Sequence, residues 1–264
     1  MKFNKLARKY PNKTAVITGA ASGLGFAFTN LLIQDGWKIF AIDINTESLE
    51  SIKEKNLNVH QLDITEIDSF EKLLLSFCTT NKIDLLFNNA GVGEGTSFVD
   101  YELQNWDWII NINLKALIAG SKFLLPHFIS NDNGMIVNIA SAAGYSNLPY
   151  MSPYNVTKAG VISLSESLSH ELSKTNVKVK LITPTFFKSS IMQYSKGDKR
   201  RIYSAEKVIN SAKINSQQSA TIILSRLHKS SNNIRFPLNA NILYYVKRLS
   251  PRTFSWLVKK FLVK

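Results

Sequence analysis

Tyr154 and Lys158 stand four residues apart behind Ser152-Pro153, and Ser141 lies thirteen residues upstream of the tyrosine. A free phenol titrates at about pH 10, too high for easy proton exchange near neutrality. A lysine one helical turn along lies on the same face, where its charge favours the phenolate. Ser141 can donate a hydrogen bond to an oxygen that is gaining negative charge. Such a set protonates a carbonyl oxygen as hydride arrives and deprotonates an alcohol as hydride leaves. The same chain carries Thr18-Gly19-Ala20-Ala21-Ser22-Gly23-Leu24-Gly25, a candidate dinucleotide seat. The pair of features points to hydride transfer between a nicotinamide and a carbonyl or alcohol. Without its companions, the Tyr154/Lys158 spacing would more often describe a surface pair than a catalytic one.

The elements around these residues must bring them together. The glycine run follows an apolar strand, Thr14 to Ile17, and precedes a helical pattern from Phe26 to Gln34 that Gly36 ends. Strand, glycine turn and helix in that order present free backbone N–H groups and the positive helix end to a diphosphate. Gly19 permits the tight turn. Gly23 and Gly25 remove side chains where phosphates and the neighbouring strand approach, and Ser22 and Leu24 complete the seat. A second apolar run, Trp37 to Ile42, ends in Asp43. A carboxylate there accepts both ribose hydroxyls and repels a 2′-phosphate, so NAD(H) is expected over NADP(H). The alternative for Asp43 is to cap a helix beginning near Thr46.

Further along, strand-like runs at Leu57–Leu62, Ile83–Phe87, Met135–Ile139 and Val177–Thr183 alternate with helical patterns at Ile67–Phe77, Asp107–Phe128 and Pro153–Leu172. Strands separated by helices of this length predict an α/β fold with one doubly wound, Rossmann-like domain. Its sheet would be mostly parallel, six- or seven-stranded, with helices on both faces. Ligands of such sheets bind beyond the carboxyl ends of the strands, where most of the residues named above fall.

Thr18 to Gly25, Asp63 after the third strand, Asn88-Asn89-Ala90-Gly91, Asn113, Ser141, Tyr154-Asn155-Val156-Thr157-Lys158, and Pro184 with Ser189 occur in an order that resembles the short-chain dehydrogenase/reductase family over roughly residues 12–190. The resemblance implies a catalytic set of Asn113, Ser141, Tyr154 and Lys158. It gives Asn113 a water that connects Lys158 to solvent, against the alternative that Asn113 only pins its helix to nearby backbone. It implies that Asn89 stabilises the sheet beside the cofactor and that Ala90 and Gly91 leave room for the adenosine ribose. Asp63 and Ile64 would meet the adenine, and Pro184 and Ser189 the nicotinamide side. Thr185 replaces a glycine usual in the family, which leaves the local backbone open. The family commonly forms dimers or tetramers, but Asn239-Ala240-Asn241 stands where a glycine-rich subunit contact is expected, which weakens the tetramer expectation.

Tyr145, Leu148, Tyr150 and Met151 give the segment before Tyr154 a largely apolar surface without Arg or Lys, and Phe186 begins a second wall. Residues 190–204 mix apolar and charged side chains and read as a lid. With Ser141 and Tyr154, the residues Tyr150, Met151 and Phe186 therefore predict a small hydrophobic alcohol or ketone as substrate. No residues are assigned to a metal.

The 264 residues, 45% of them apolar, can bury a substantial core, and Cys78 alone cannot form an internal disulfide. The N-terminal Met1 to Lys13 lacks the apolar run of a secretory signal, and no eighteen-residue uncharged apolar run appears, so a cytoplasmic enzyme is expected. Charge is lopsided. Of a formal net charge of +13, residues 207–264 contribute eleven Lys or Arg and no Asp or Glu. Phe254, Leu257, Val258, Phe261 and Leu262 follow helical spacing around Lys259 and Lys260. That stripe suits packing on the domain or a second subunit, or peripheral contact with anionic membrane. Basic charge alone also suits nucleic acid, but no reading motif accompanies it and none is expected to bind. We therefore divide the chain into a catalytic dinucleotide-binding region, 1–231, and a last strand with a basic amphipathic extension, 232–264.

Three functions fit the sequence. The first is an NAD-dependent dehydrogenase or reductase of an apolar secondary alcohol or ketone. The second is an NADP-dependent carbonyl or 3-oxoacyl-thioester reductase. The third, a cofactor-binding interaction protein without catalysis, lacks support from a chain that retains every member of the catalytic set.

Overall fold

Seven short strands form one wholly parallel sheet in the computed structural model, which describes residues 3–263. Met1, Lys2 and Lys264, the outermost residues of the basic N-terminal stretch and of the basic tail, lie outside the described residues. The chain runs α1 (Asn4–Lys9), β1 (Thr14–Thr18), α2 (Gly23–Gln34), β2 (Lys38–Asp43), α3 (Glu47–Glu50), β3 (Leu57–Gln61), α4 (Ile67–Thr80), β4 (Leu85–Asn88) and β5 (Glu94–Gly95). It continues through α5 (Leu103–Ile110), a π-helical segment (Asn111–Lys115), α6 (Ala116–Ser130), β6 (Gly134–Ile139), α7 (Ala143–Ser146), α8 (Ser152–Glu171) and β7 (Val177–Pro184). The last part holds β8 (Lys196–Gly197), α9 (Lys199–Asn210), α10 (Ser216–Leu227), β9 (Asn233–Phe236), α11 (Leu238–Leu249) and α12 (Pro251–Leu262).

Strand order is β3-β2-β1-β4-β6-β7-β9, and β5 pairs separately with β8. Every residue of β1, β4 and β6 is buried, which explains why these strands read as unbroken apolar runs instead of alternating ones. Ala15 and Ile17 of β1 face Phe28 and Leu32 of α2 and the buried side of α10, whereas Val16 faces Phe70 and Leu74 of α4 and Phe128 of α6. The sheet is thereby covered on both faces, as the alternation of strands and helices predicts. Order reverses between β1 and β4, so the loops leaving their carboxyl ends diverge and open a crevice there.

Two features depart from the sequence reading. The helix expected from Asp107 begins earlier, and its middle five residues, Asn111–Lys115, are π-helical. The combined helix Leu103–Ser130 is long and apolar enough to cross a membrane, but Ala116, Ala119, Leu124 and Phe128 pack into the core. The lid segment 190–204 is also more regular than expected, because it contributes β8 and the start of α9. Helical periodicity there is obscured by the charges of Lys199 and Arg200, which are exposed, and of Arg201, which is half-buried over Tyr150.

Candidate active site

Thr18 ends β1, and its hydroxyl donates to the Phe87 carbonyl at 3.2 Å and accepts from the Asn89 and Ala90 N–H groups at 3.1 and 3.2 Å. Asn89 in turn donates from its amide to the Thr18 and Gly19 carbonyls at 2.9 and 3.0 Å. These bonds clamp the glycine loop to the loop after β4. Gly19 has φ +63°, and a Cβ on Gly25 would stand 1.9 Å from the Gly19 carbonyl oxygen. The turn thus needs glycine for its backbone at one end and for helix contact at the other. Ser22 precedes α2 without a side-chain capping bond, so the first N–H groups of that helix are left for a ligand.

Asp43 accepts from the Ala21 N–H at 2.8 Å and from Asn45 at 3.2 Å. It does not cap α3, whose first turn is instead met by the Asn45 side chain on the Glu47 N–H at 3.0 Å. Asp63 turns on itself, accepting from the Thr65 N–H and hydroxyl at 2.9 and 2.7 Å, with Ile64 buried beside it. Asp43, Asp63 and Ile64 thus sit at the ends of β2 and β3, on the outer side of the crevice.

On the inner side, a cavity enclosing about 1350 Å³, part of it open to solvent, is lined by Gly19, Ser22, Gly23, Leu24, Asn89, Ala90 and Gly91 along one wall. Ser141, Met151, Tyr154, Lys158, Pro184, Phe186 and Ser189 line the other. Ser141 hydrogen-bonds the Tyr154 phenol. The Lys158 ammonium is 5.6 Å from the centre of the Tyr154 ring and donates to the Ile139 carbonyl at 3.0 Å. Asn113 lies behind this wall, fully buried in the π-helical segment. Its amide oxygen accepts from the Val92 N–H at 2.8 Å, and its amide nitrogen donates to the Val92 carbonyl at 2.9 Å and to Thr157 at 3.3 Å. A Cβ on Gly91 would stand 3.2 Å from the Asn113 amide oxygen and 3.4 Å from Lys158 Nζ, so glycine spares the Asn113 amide a small shift and leaves Lys158 at ordinary contact distance.

The sequence pattern of the short chain dehydrogenase family matches residues 13–200. The chain belongs to the short-chain dehydrogenase family. It is 32% identical over 188 residues to a 3-oxoacyl-[acyl-carrier-protein] reductase of Thermotoga maritima, a match spanning 69% of this chain and 76% of the relative. A short-chain dehydrogenase/reductase of Burkholderia phymatum, solved in complex with NAD, superposes with TM-score 0.79 at 24% identity over 92% of this chain and 93% of its own. The closed form of a serine dehydrogenase complexed with NADP+ superposes with TM-score 0.75 at 26% identity, over 86% of this chain and 95% of its own. Membership makes this short-chain dehydrogenase an NAD(P)-dependent oxidoreductase.

Some expected neighbours are absent from the cavity and others are new. Tyr150 has φ +63° and carries the Arg201 guanidinium 3.5 Å above its ring, and it is not among the cavity residues. Thr185, in place of the usual glycine, keeps an ordinary backbone: its N–H donates to the Phe236 carbonyl at 3.0 Å and its hydroxyl to Asn239 at 2.9 Å. Residues 190–204 cover the cavity through Ile191, Met192 and Tyr194, held by the Gly93 N–H on the Ile191 carbonyl at 3.0 Å. Glu94, Ile209 and Leu243 also line it. Glu94 is the single charged residue between Asp84 and Asp100, a signal that could have been read in advance. Leu243 could not, because only the packing of α11 against α7, with Tyr145 donating to the Ala240 carbonyl at 2.9 Å, brings it to the site.

Burial opposes charge throughout this wall. It pushes the Tyr154 phenol up to about 12, partly offset by Ser141, and the Lys158 ammonium down to about 8 from its ordinary 10.5. Between pH 8 and 10.5 the unfolded chain therefore binds more protons than the folded one, and stability rises with pH. Buried Lys180, also lowered to about 8, adds to the same rise, while Tyr154 reverses it between 10 and 12. Lys158→Met removes the buried ammonium. In thermal unfolding without cofactor it is expected to melt above wild type at pH 7 and to lose that margin as pH climbs through the window above.

Proposed function

We propose that this chain is an NAD(H)-preferring dehydrogenase/reductase of an apolar secondary alcohol or ketone, with Tyr154 as its acid/base. The reading rests on one observation above all: Ser141, Tyr154 and Lys158 share a wall of the cavity whose other wall is the glycine loop. The open N–H groups at the start of α2 and the glycine cradle fit a dinucleotide diphosphate. Bound there, the nicotinamide supplies or accepts the hydride.

In reduction, the Tyr154 hydroxyl gives its proton to the substrate oxygen while the Ser141 hydroxyl donates a hydrogen bond to the same oxygen. In oxidation, the phenolate takes the alcohol proton. Lys158 stabilises that phenolate by its charge and is positioned to hold the nicotinamide ribose. Asn113, through Val92 and Thr157, keeps the loop after β4 and the first turns of α8 in register, and on the family pattern supports a water that refills the proton at Lys158. Gly23, Leu24, Gly25, Ala90 and Gly91 admit the cofactor backbone. Asp63 and Ile64 flank the adenine, and Pro184 and Ser189 the carboxamide.

Asp43 favours NAD(H), since its carboxylate would face a 2′-phosphate with no cation in Ala20 to Ser22 or Ile44-Asn45 to offset it. The NADP+ complex of the serine dehydrogenase and the acyl-carrier-protein reductase relative support the competing NADP-dependent reading. Met151 and Phe186, with Ile191 and Met192, leave an apolar surface for substrate.

Tyr154→Phe is expected to retain NADH binding, followed by nicotinamide fluorescence, and to lose at least about 100-fold in kcat, the scale of a general acid. Retained turnover would remove Tyr154 from the chemistry. Asp43→Ala is expected to narrow the NADH over NADPH preference in paired Kd measurements without lowering kcat by comparable factors; an unchanged ratio sinks its assignment.

A second proposal concerns the tail. Phe254 is buried with Lys247 of α11 over its ring, but Trp256, Phe261 and Leu262 of α12 are exposed beside Lys259 and Lys260, which suits a helix lying on anionic lipid. Trp256→Ser with Phe261→Ser spares the packed Phe254. The double variant is expected to lose sedimentation with phosphatidylserine vesicles while keeping NADH binding. Equal sedimentation of both proteins, or of neither, ends the membrane reading.

A further inference from the structure

Glu94 is the one acidic side chain in the cavity wall, and nothing in the proposed chemistry uses it. It is 2% exposed, and among the described residues neither carboxylate oxygen has a hydrogen-bond partner of good geometry. Burial pushes its pKa up to about 7, a rise only partly offset by the nearby N–H groups of Tyr154 and Thr96. The Thr96 N–H is itself committed to the Tyr150 carbonyl at 2.9 Å. The cations around it are engaged elsewhere. Lys196 lies 4.6 Å over the Trp108 ring, and Arg201 stacks on Tyr150 and reaches Asp198 at 3.8 Å. Tyr101, close enough to feel the Glu94 charge, turns its hydroxyl to the Asn105 carbonyl at 3.4 Å.

A buried carboxylate with only two N–H groups nearby, one of them committed elsewhere, is costly, by several kcal/mol on the general scale for uncompensated charge. The backbone nevertheless holds it firmly: Glu94 pairs with Lys196 in the β5–β8 ladder, and Gly93 is tied to Ile191. A group kept unpaired inside a ligand cavity is available to a ligand donor. We propose that Glu94 recognises a hydrogen-bond-donating substituent, a hydroxyl or an ammonium, carried by an otherwise apolar alcohol or ketone near its reacting carbon. This rests on the functional reading above and narrows it: the pocket discriminates against a purely hydrocarbon substituent, because such a substrate leaves the carboxylate unpaired. A purely structural role is the competing account, since the Tyr154 N–H belongs to the first turn of α8 and a carboxylate can cap a helix start.

The test compares three secondary alcohols of one chain length, a plain one, its vicinal diol and its vicinal amino alcohol, as substrates of wild type, Glu94→Gln and Glu94→Leu. Wild type is expected to favour a donor-bearing alcohol over the plain one by tenfold or more in kcat/KM. Glu94→Leu is expected to abolish that ratio, chiefly through KM. Glu94→Gln separates the donors: it keeps the diol preference if a hydroxyl is recognised and loses the preference if an ammonium is. Thermal shifts by the same three alcohols with NADH present give an independent readout, with stabilisation by a donor-bearing alcohol expected in wild type and lost in Glu94→Leu. If Glu94→Leu does not fold, Glu94→Gln must still alter the ratio or the shift between amino alcohol and diol. Both readouts insensitive to Glu94, with lowered melting of the variants, overturn the proposal in favour of the helix cap. Absent turnover of every alcohol by wild type overturns the functional reading, and the thermal shifts then decide Glu94 on their own.

Discussion

The ammonium of Lys158, wholly enclosed and bonded to the Ile139 carbonyl, is the constraint on which the surrounding architecture depends. Burial works against its charge and against the ionised form of the neighbouring phenol alike. The fold answers by bringing polar partners to the same place. Gly91 leaves room beside the Asn113 amide, which a Cβ there would crowd at 3.2 Å, and Asn113 fastens the loop at Val92 to Thr157 of α8. The π-helical segment is where the long helix accommodates this inward asparagine, consistent with the tendency of such segments to occur at functional sites.

A second set of buried polar groups aligns the sheet with its helices. Asn88 of β4 donates to Ser121 of α6 and to Asn138 of β6, each at 2.9 Å, and Asn138 donates to Ser165 of α8 at 2.9 Å. Each bond would be lost by a shift in register, and each loss would leave a buried amide or hydroxyl unpaired. The chain Asn88–Asn138–Ser165 therefore fixes α8, and with it Tyr154 and Lys158, relative to the strand whose end carries Asn89 and Gly91. Positioning of Tyr154 and Lys158 against the glycine loop follows from this ladder and from the Thr18–Asn89 clamp on the opposite side.

The cavity is closed by segments far apart in the chain. Residues 190–204 cover it through Ile191, Met192 and Tyr194, α9 closes one side with Ile209, and α11 brings Leu243. Two arginines stack on aromatic rings of the surrounding segments, Arg201 of α9 over Tyr150 at 3.5 Å and Arg235 of β9 over Tyr244 of α11 at 3.8 Å. Of the basic residues of the last 58, Lys207 on α9 and Lys247 and Arg248 on α11 lie on the helices that bring Ile209 and Leu243 to the pocket.

By itself the sequence determined the α/β alternation, the glycine run after the first strand and the side chains proposed to react. Strand burial, helix period and the Tyr154/Lys158 spacing are local properties, and each is written within a few consecutive residues. Tertiary structure alone decided that Asn113 sits in a π turn, that Tyr150 lies under an arginine outside the cavity, and that Thr185 needs no glycine because β9 extends the sheet beside it. It also decided that Glu94 is enclosed without a partner and that Leu243 borders the same space. These depend on which distant segments pack together, and side-chain burial is a property of that packing, not of neighbouring residues.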